Sequence, residues 1–207
     1  MADTSPLVII VDDDEGMRES VAEILRSVGI ASMGFGSTAD LFAVSLPDRP
    51  GCLILDVRLP GLSGLELQAK LASSGNRKPI IFMSGYGDVP MTVRAMKAGA
   101  LDFLQKPFRD QDIIDAVTAA IERDQEQRLR SSATQEIAEL ALTLTPRERQ
   151  VMAAVAKGLL NKQIAHELQL SEITVKIHRG NVMRKMKSTS VADLVRKAEL
   201  LKTASDN

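Results

Sequence analysis

The chain has 207 residues, of which 44% are hydrophobic and 26% charged, so it is long enough for two small globular domains. A single cysteine excludes an internal disulfide and any metal site built from several cysteines. The sequence has neither an apolar run long enough for a membrane span nor a signal-peptide pattern at its N-terminus. We therefore expect a cytoplasmic protein with no membrane partner.

The charges are divided unevenly along the chain. Residues 1–124 contain 12 Lys or Arg and 18 Asp or Glu, a net charge of −6. Residues 125–207 contain 14 Lys or Arg and 9 Asp or Glu, a net charge of +5. A basic half joined to an acidic half indicates that the second half meets a polyanion, although a solvated basic surface would give the same charge.

Five short apolar runs alternate with helix-like patterns in the first 120 residues. Strands are predicted at residues 7–11, 30–35, 52–56, 79–83 and 101–104, and helices at residues 17–29, 37–46, 63–73, 89–98 and from 110 past 120. This alternation predicts a parallel sheet with helices on both faces and all strand carboxyl ends at one edge. Ligands of such sheets bind in the crevice beyond that edge.

Four of the predicted strands end at side chains that suit a phosphate and a divalent cation. Asp12 and Asp13 follow the first strand, Asp56 ends the third, Ser84 follows the fourth, and Lys106 follows the fifth. Close carboxylates repel one another unless a cation neutralises them, and oxygen ligands without histidine or cysteine favour Mg²⁺. Asp56 alone is equally consistent with a turn residue. The acidic pair also suits a helix N-cap, which is compatible with metal binding.

With a cation and Lys106 beside it, Asp56 is suited to act as a nucleophile on a phosphoryl group. Lys106 would place a positive charge on a phosphate oxygen, and Ser84 would supply a hydroxyl. Taken singly, Lys106 would be read as a surface lysine and Ser84 as a helix cap. Their joint position at the strand ends favours the phosphate site.

Residues 7–122 resemble the receiver domain of two-component response regulators. The resemblance is carried by Val11-Asp12-Asp13, Asp56, Ser84, Phe103 and Lys106-Pro107. It implies an α/β, flavodoxin-like fold with a five-stranded parallel sheet in the order 2-1-3-4-5. It also implies that a sensor histidine kinase phosphorylates Asp56, and that Mg²⁺ or Mn²⁺ is held by Asp12, Asp13, Asp56 and the backbone carbonyl of Arg58.

The same resemblance implies how phosphate is sensed. Lys106 would bind a phosphate oxygen, while Ser84 and Phe103 would form a switch pair in which the hydroxyl turns to the phosphate as the ring turns inward. The Lys106–Pro107 peptide is expected to be cis, which only X-Pro bonds adopt cheaply. The face around the fourth helix and fifth strand would then form a homodimer through residues near Met91, Val93, Ala95 and Met96.

A helical linker is predicted at residues 123–142, between a first domain at residues 1–122 and a second at 143–207. The segment is polar and free of Pro and Gly, so we expect it to continue the fifth helix, with a break near Ser131-Ser132. An apolar stripe should dock on another part of the chain; its members are Ile137, Leu140, Ala141 and Leu144. A floppy tether is the alternative.

The second half predicts a small, all-helical domain. Thr145, Pro146 and Glu148 form a capping box with proline at the first helical position. Further helices are predicted at residues 161–168, 172–186 and 191–201, and Ser171 is expected to cap the third of the domain's helices. A short helix, a tight turn and a longer basic helix are typical of a helix-turn-helix. The basic residues of the longer helix suit the DNA major groove and its phosphates.

Residues 143–202 resemble the LuxR-type helix-turn-helix domain of FixJ-like regulators. The resemblance is carried by Leu144-Thr-Pro-Arg-Glu-Arg149, Asn161-Lys-Gln-Ile-Ala165 and Thr174-Val-Lys-Ile-His178. It implies that Lys176, Ile177 and Arg179 face bases or nearby phosphates, and that Asn161, Lys162, Thr174 and Lys185 hold the DNA backbone. Gly180 departs from the pattern, because relatives carry a long side chain there. This puts a base contact at position 180 in doubt.

The sequence thus predicts a response regulator in which phosphorylation of Asp56 controls dimerisation and binding to promoter DNA. We expect it to activate transcription through RNA polymerase. Apart from its own phosphorylation and slow dephosphorylation, no enzymatic activity is expected. One rival hypothesis is a Mg²⁺-dependent phosphatase with an aspartate nucleophile, which the arginine at position 58 disfavours because such enzymes often carry an acid there. Another is a DNA-binding module that phosphorylation does not control.

Overall fold

The computed structural model describes residues 5–85 and 89–205 and divides the chain into two compact units, Met1–Arg128 and Leu129–Asn207. The first unit alternates strands and helices. In chain order these are β1 (Leu7–Val11), α1 (Glu15–Ser27), β2 (Ala31–Phe35), α2 (Thr38–Ala43), β3 (Leu53–Asp56), α3 (Gly64–Ser73), β4 (Ile80–Ser84), α4 (Val89–Lys97), β5 (Asp102–Gln105) and α5 (Asp110–Leu142). Each element lies within a few residues of its predicted bounds, and α5 continues through residues 123–142, as predicted for the linker.

The five strands form one parallel sheet in the order β2-β1-β3-β4-β5, which confirms the predicted fold. The register pairs Val11 with Leu55, Asp56 with Met83, and Ser84 with Gln105. Successive strands therefore end almost level. The residues that end or follow them meet at the carboxyl edge of the sheet.

The core of the first unit consists of two apolar clusters, one on each face of the sheet. Alternate residues of β1 contribute to each, and all five are buried because helices cover both faces of this inner strand. Cys52 lies fully buried in one cluster, and burial raises the pKa of its thiol to about 12. No reactive thiolate is expected from it.

Helix α5 is continuous over 33 residues, so the predicted break at Ser131-Ser132 is wrong. The reason is that serine costs well under 1 kcal/mol in a helix interior, and the flanking residues are strong helix formers. Helix α2 ends at Ala43, three residues before its predicted end, and Val44 is already extended. Pro47 follows closely, and a proline disfavours helical backbone in the residue before it.

The second unit is built from helices in the part of the chain that the structure describes. After the end of α5 come α6 (Pro146–Ala156), α7 (Asn161–Leu168), α8 (Glu172–Lys185) and α9 (Val191–Ser205). The capping box of α6 and the Ser171 cap of α8 are both present, as predicted. The predicted apolar stripe packs on the core of this unit: Leu144 is buried, and Ile137, Leu140 and Ala141 lie against the same cluster.

A network of charged groups holds α5 against the amino-terminal edge of the sheet. Asp124 is buried, and its Oδ2 accepts hydrogen bonds from the backbone N–H of Gly51 at 2.9 Å and from Arg128 Nε at 2.8 Å. Arg128 also bonds Asp48 at 2.7 Å, and Lys78 Nζ lies 3.9 Å from Asp124. Sequence analysis did not predict this network.

Among the described residues, the helices include none with the length and apolarity that a membrane crossing requires.

Candidate functional site

The carboxyl edge of the sheet brings together a lysine and two aspartates from three different strands. Asp12 directly follows β1, Asp56 ends β3, and Lys106 follows β5. Lys106 Nζ donates to Asp12 Oδ2 at 2.6 Å and to Asp56 Oδ2 at 2.8 Å. These residues are separated by up to 94 positions in the chain, so their meeting is a product of the parallel topology.

Negative charge exceeds positive charge at this position. Carboxylate oxygens of Asp12, Asp13 and Asp56 all lie within 4.8 Å of one another, and Lys106 is the cation that bonds two of them. Asp12 is fully buried and Asp56 nearly so, whereas Asp13 is exposed. Burial raises the pKa of the Asp12 carboxyl, even though Lys106 donates to it. This excess of carboxylate oxygens fits a divalent cation of the Mg²⁺ type.

The carboxylate of Asp56 is held from two sides. Its Oδ2 accepts from Lys106, and its Oδ1 accepts from the backbone N–H of Arg58 at 2.9 Å. The loop after β3 therefore turns back over the carboxylate. The side chain of Arg58 is exposed. The contact observed for Arg58 here involves its N–H, and metal binding by its carbonyl stays a prediction.

Ser84 ends β4, the strand next to that of Asp56, and Phe103 lies on β5, one strand further out. Ser84 is fully buried, and its carbonyl accepts from the backbone N–H of Lys106 at 2.8 Å. Phe103 lies opposite Phe82 in the sheet and is partly buried against the core. The Lys106–Pro107 peptide is cis, as predicted. Ser84 thus fixes the backbone that carries Lys106.

The second unit presents α7 and α8 in a helix-turn-helix. The turn passes through Gln169 in the left-handed region at φ 54°, and Ser171 caps α8. Val175 and Val182 are fully buried under α8. Lys176 and Ile177 point away from this core, with Ile177 59% exposed. The geometry therefore presents one face of α8 to a partner.

The other residues predicted to contact DNA differ in their exposure and in whether they already bond to the protein. Lys162 is exposed, whereas Arg179 Nη1 donates to Asn161 Oδ1 at 2.6 Å, which links α8 to the start of α7. The hydroxyl of Thr174 lies 2.8 Å from Ser171 Oγ at the α8 cap. Some of these side chains thus already have protein partners.

Lys185 has a structural environment. Its Nζ donates to Glu148 Oε2 at 2.7 Å and to the carbonyl of Thr143 at 3.0 Å. Glu148 is 4% exposed, and the hydrogen bond from Lys185 holds the pKa of its carboxyl below the ordinary value. Lys185 thus links the end of α8 to the start of α6. Its contact with DNA stays a prediction.

Comparison with known proteins agrees with both halves of this description. Residues 8–118 match the family model of the response regulator receiver domain, and residues 142–198 match that of the luxR family of bacterial regulatory proteins. Nodulation protein W of Bradyrhizobium diazoefficiens is 54% identical over 200 residues, which cover 97% of this chain and 88% of that protein. The chain belongs to the LuxR-type response regulators.

Other relatives extend the comparison to solved structures. The transcriptional regulatory protein FixJ of Azorhizobium caulinodans is 46% identical over 193 residues, 93% of this chain and 92% of that protein. The structure of the response regulator StyR matches with a TM-score of 0.81 and 43% identity, over 94% of this chain and 98% of that one. This response regulator is therefore a regulator of transcription, as predicted, and the phosphatase hypothesis is wrong.

Two residues that position the site of this response regulator were missed in the sequence. Arg18 Nη1 donates to the carbonyl of Asp12 at 2.7 Å, and nothing in the local sequence links the two. Gly64 begins α3, where a Cβ would lie 2.3 Å from the carbonyl oxygen of Asp56. Only glycine fits such a close approach. Its place after the Pro60-Gly61 turn was the available signal.

Proposed function

We propose that this response regulator accepts a phosphoryl group on Asp56 from a sensor histidine kinase, and that the modification controls its binding to promoter DNA as a homodimer. The observation that carries the proposal is the Asp56 carboxylate held between the Lys106 ammonium and two further carboxylates. We further propose that the DNA-bound dimer activates transcription by contact with RNA polymerase.

The chemistry follows from the groups around Asp56. A carboxylate oxygen of Asp56 forms a bond to phosphorus while the phosphorus–nitrogen bond of the donor phosphohistidine breaks, and the released imidazole takes a proton from water. Lys106 neutralises charge on the phosphoryl oxygens, and Ser84, which ends the adjacent strand, donates its hydroxyl to one of them. A Mg²⁺ or Mn²⁺ ion held by Asp12, Asp13, Asp56 and the Arg58 carbonyl would supply further charge neutralisation.

The proposed output begins at Ser84 and Phe103 and reaches α4 and β5. Val93 and Met96 on α4 are each 43% exposed, so they offer apolar surface for a second copy of the chain. Ala95 was predicted on this face but is fully buried, and Met91 packs partly on the core. Helix α4 has nine residues, and Ala95 lies on its buried side.

In the second unit, we propose that the exposed Lys176 and Ile177 meet base edges and that Lys162 meets the backbone. Arg179, Asn161, Thr174 and Lys185 complete the proposed DNA-contacting set. Arg179 and Asn161 would act as a bonded pair, since their side chains already contact each other. Phosphate contacts of this kind make affinity fall steeply with salt.

The test compares Asp56→Asn with Asp14→Asn, a matched change beside the site. Asp14 caps α1, a role that asparagine fills equally well. With acetyl phosphate and Mg²⁺, the wild type and Asp14→Asn should each gain the mass of one phosphoryl group, and Asp56→Asn should gain none. Phosphorylation should also raise the dimer fraction and promoter affinity. Undiminished incorporation in Asp56→Asn would reject the assignment, and DNA affinity indifferent to the phosphodonor would favour an unregulated DNA-binding module.

A further inference from the structure

The centre of the outward face of α8 is apolar. Ile173 is 75% exposed and Ile177 is 59% exposed, one helical turn apart. At about 100° per residue, Ile173, Ile177 and Gly180 fall within about 60° of one another, directly opposite the buried Val175 and Val182. We call Ile173, Ile177 and Gly180 the apolar strip.

Folding does not account for the apolar strip. Two β-branched side chains in water gain no burial and are weaker helix formers than the Lys or Arg that usually occupy exposed positions. A Cβ at Gly180 would meet nothing within 4 Å, and its φ is not in the left-handed region, so neither packing nor backbone geometry requires glycine there. The three residues therefore point to a partner that approaches α8 closely.

The charges around the apolar strip favour DNA as that partner. Lys176 lies beside the strip and Arg184 continues it toward the end of α8, and both side chains are exposed. The strip is also continuous with the surface that the helix-turn-helix presents to nucleic acid. The guanidinium of Arg179, on the same helix, is already bonded to Asn161 at 2.6 Å.

We propose that the apolar strip reads the 5-methyl groups of thymine bases in the major groove, an inference that rests on the proposed binding of promoter DNA. Thymine is the only base that presents a methyl group in that groove, and apolar side chains contact it favourably. Ile173 and Ile177 supply the contact, and the bare backbone at Gly180 lets α8 lie close to the base pairs. The strip thus selects thymine over cytosine at two neighbouring positions of each half-site.

The experiment removes the methyl groups and nothing else. Duplexes that the full-length, phosphorylated protein enriches from a random-sequence pool are remade with deoxyuridine in place of each thymidine in turn. Loss of one buried methyl should weaken binding about fourfold at the positions that face the strip, and leave other positions unchanged. Gel-shift or fluorescence-anisotropy titration measures the dissociation constants.

Variants assign the effect to its residues. In Ile173→Ala and Ile177→Ala, the thymidine and deoxyuridine duplexes should bind equally at the position that each residue reads. Both side chains are largely exposed, so the variants should fold. Leu129→Ala, a change at a 72% exposed leucine outside the strip, should retain the full fourfold difference.

The outcomes separate this inference from the function on which it rests. If the protein enriches no duplex, both the proposed promoter binding and the reading of thymine are overturned. If it enriches duplexes but binds their deoxyuridine versions equally well, only the apolar strip is rejected. A methyl dependence that persists in both isoleucine variants would also reject it.

Discussion

The sheet of the receiver unit carries buried aspartates at both edges, and the two edges differ in how the charge of these aspartates is balanced. At the amino-terminal edge, Asp124 accepts from Arg128 and from the N–H of Gly51, with Lys78 Nζ 3.9 Å away. Arg128 shares its guanidinium with Asp48, so two carboxylates meet two cations. The charges in this network cancel.

At the carboxyl-terminal edge, the carboxylates of Asp12, Asp13 and Asp56 meet Lys106, while Arg18 bonds the backbone carbonyl of Asp12, so negative charge remains in excess. Both edges contain the same kinds of residue, so composition does not distinguish them. The difference is that the balanced network holds α5 in place, whereas the unbalanced cluster has capacity for a cation and a phosphoryl group. Removing a carboxylate should therefore lower intrinsic stability at the first edge, and at the second should mainly remove the stabilisation that a bound cation adds.

The largest expected effect on stability is at the amino-terminal edge, where the charges of the Asp124 network cancel. Asp124→Asn leaves Arg128 and Lys78 without their shared carboxylate, which should lower the free energy of unfolding by about 2–3 kcal/mol. Urea unfolding followed by circular dichroism measures the change. Asp115→Asn, on the exposed side of α5, serves as the control and should cost little.

Phosphoryl incorporation by the folded Asp124→Asn protein should stay near the wild-type level, because Asp124 lies at the opposite edge from Asp56. If the variant kept its stability but lost incorporation, Asp124 would belong to the functional site and the comparison of the two edges would fail.

At the carboxyl-terminal edge, where negative charge is in excess, binding of a divalent cation should add stability. Mg²⁺ at ten times its dissociation constant should raise the free energy of unfolding of the wild type by about 1.4 kcal/mol. Asp13→Asn removes an exposed ligand at little structural cost and should lose most of this increment. Asp14→Asn makes the same change in charge one residue away and should keep it. Equal responses in the two variants would show that the cation effect is nonspecific.

Much of the carboxylate cluster at the carboxyl-terminal edge was predictable from the sequence, and the Asp124 network at the amino-terminal edge was not. Asp12, Asp56 and Lys106 each follow a recognisable apolar run, and parallel topology places such positions together. Asp124 and Arg128 lie in a polar stretch of α5, where the sequence does not show which side chains are buried or which charges pair. Their partners, such as Gly51, lie in loops whose course depends on the packing of the whole unit.

The helices also show where local sequence signals fail to predict structure. The continuity of α5 across Ser131-Ser132 was missed because the local preference of serine for caps was weighed without its strongly helical neighbours. The burial of Ala95 was missed because an error of one residue in the phase of a short helix, about 100°, changes which face is buried. Caps were predicted correctly at Thr145 and Ser171, since their signals are local.

The second unit has a buried carboxylate of its own, Glu148, which tests whether balanced charge marks structural sites in general. Glu148 accepts from Lys185 at 2.7 Å and from the N–H of Thr145 at 2.9 Å. The bond from Lys185 lowers the pKa of Glu148 in the folded state. The folded protein therefore binds fewer protons here than the unfolded chain, so this stabilisation is present above the unfolded pKa, near 4.3, and is lost as pH falls through the lowered value.

Glu148→Gln should cost about 1 kcal/mol at pH 7 and should reduce the loss of stability on acidification below about pH 4.5, as measured by urea unfolding over a pH series. Glu167→Gln, exposed on α7, is the control and should leave that loss unchanged. Lys185→Met should lower stability by a similar amount, because it leaves the buried Glu148 carboxylate without its cation. A Lys185→Met protein with normal stability but weaker, less salt-dependent DNA binding would instead show that Lys185 serves the DNA backbone, as the sequence predicted.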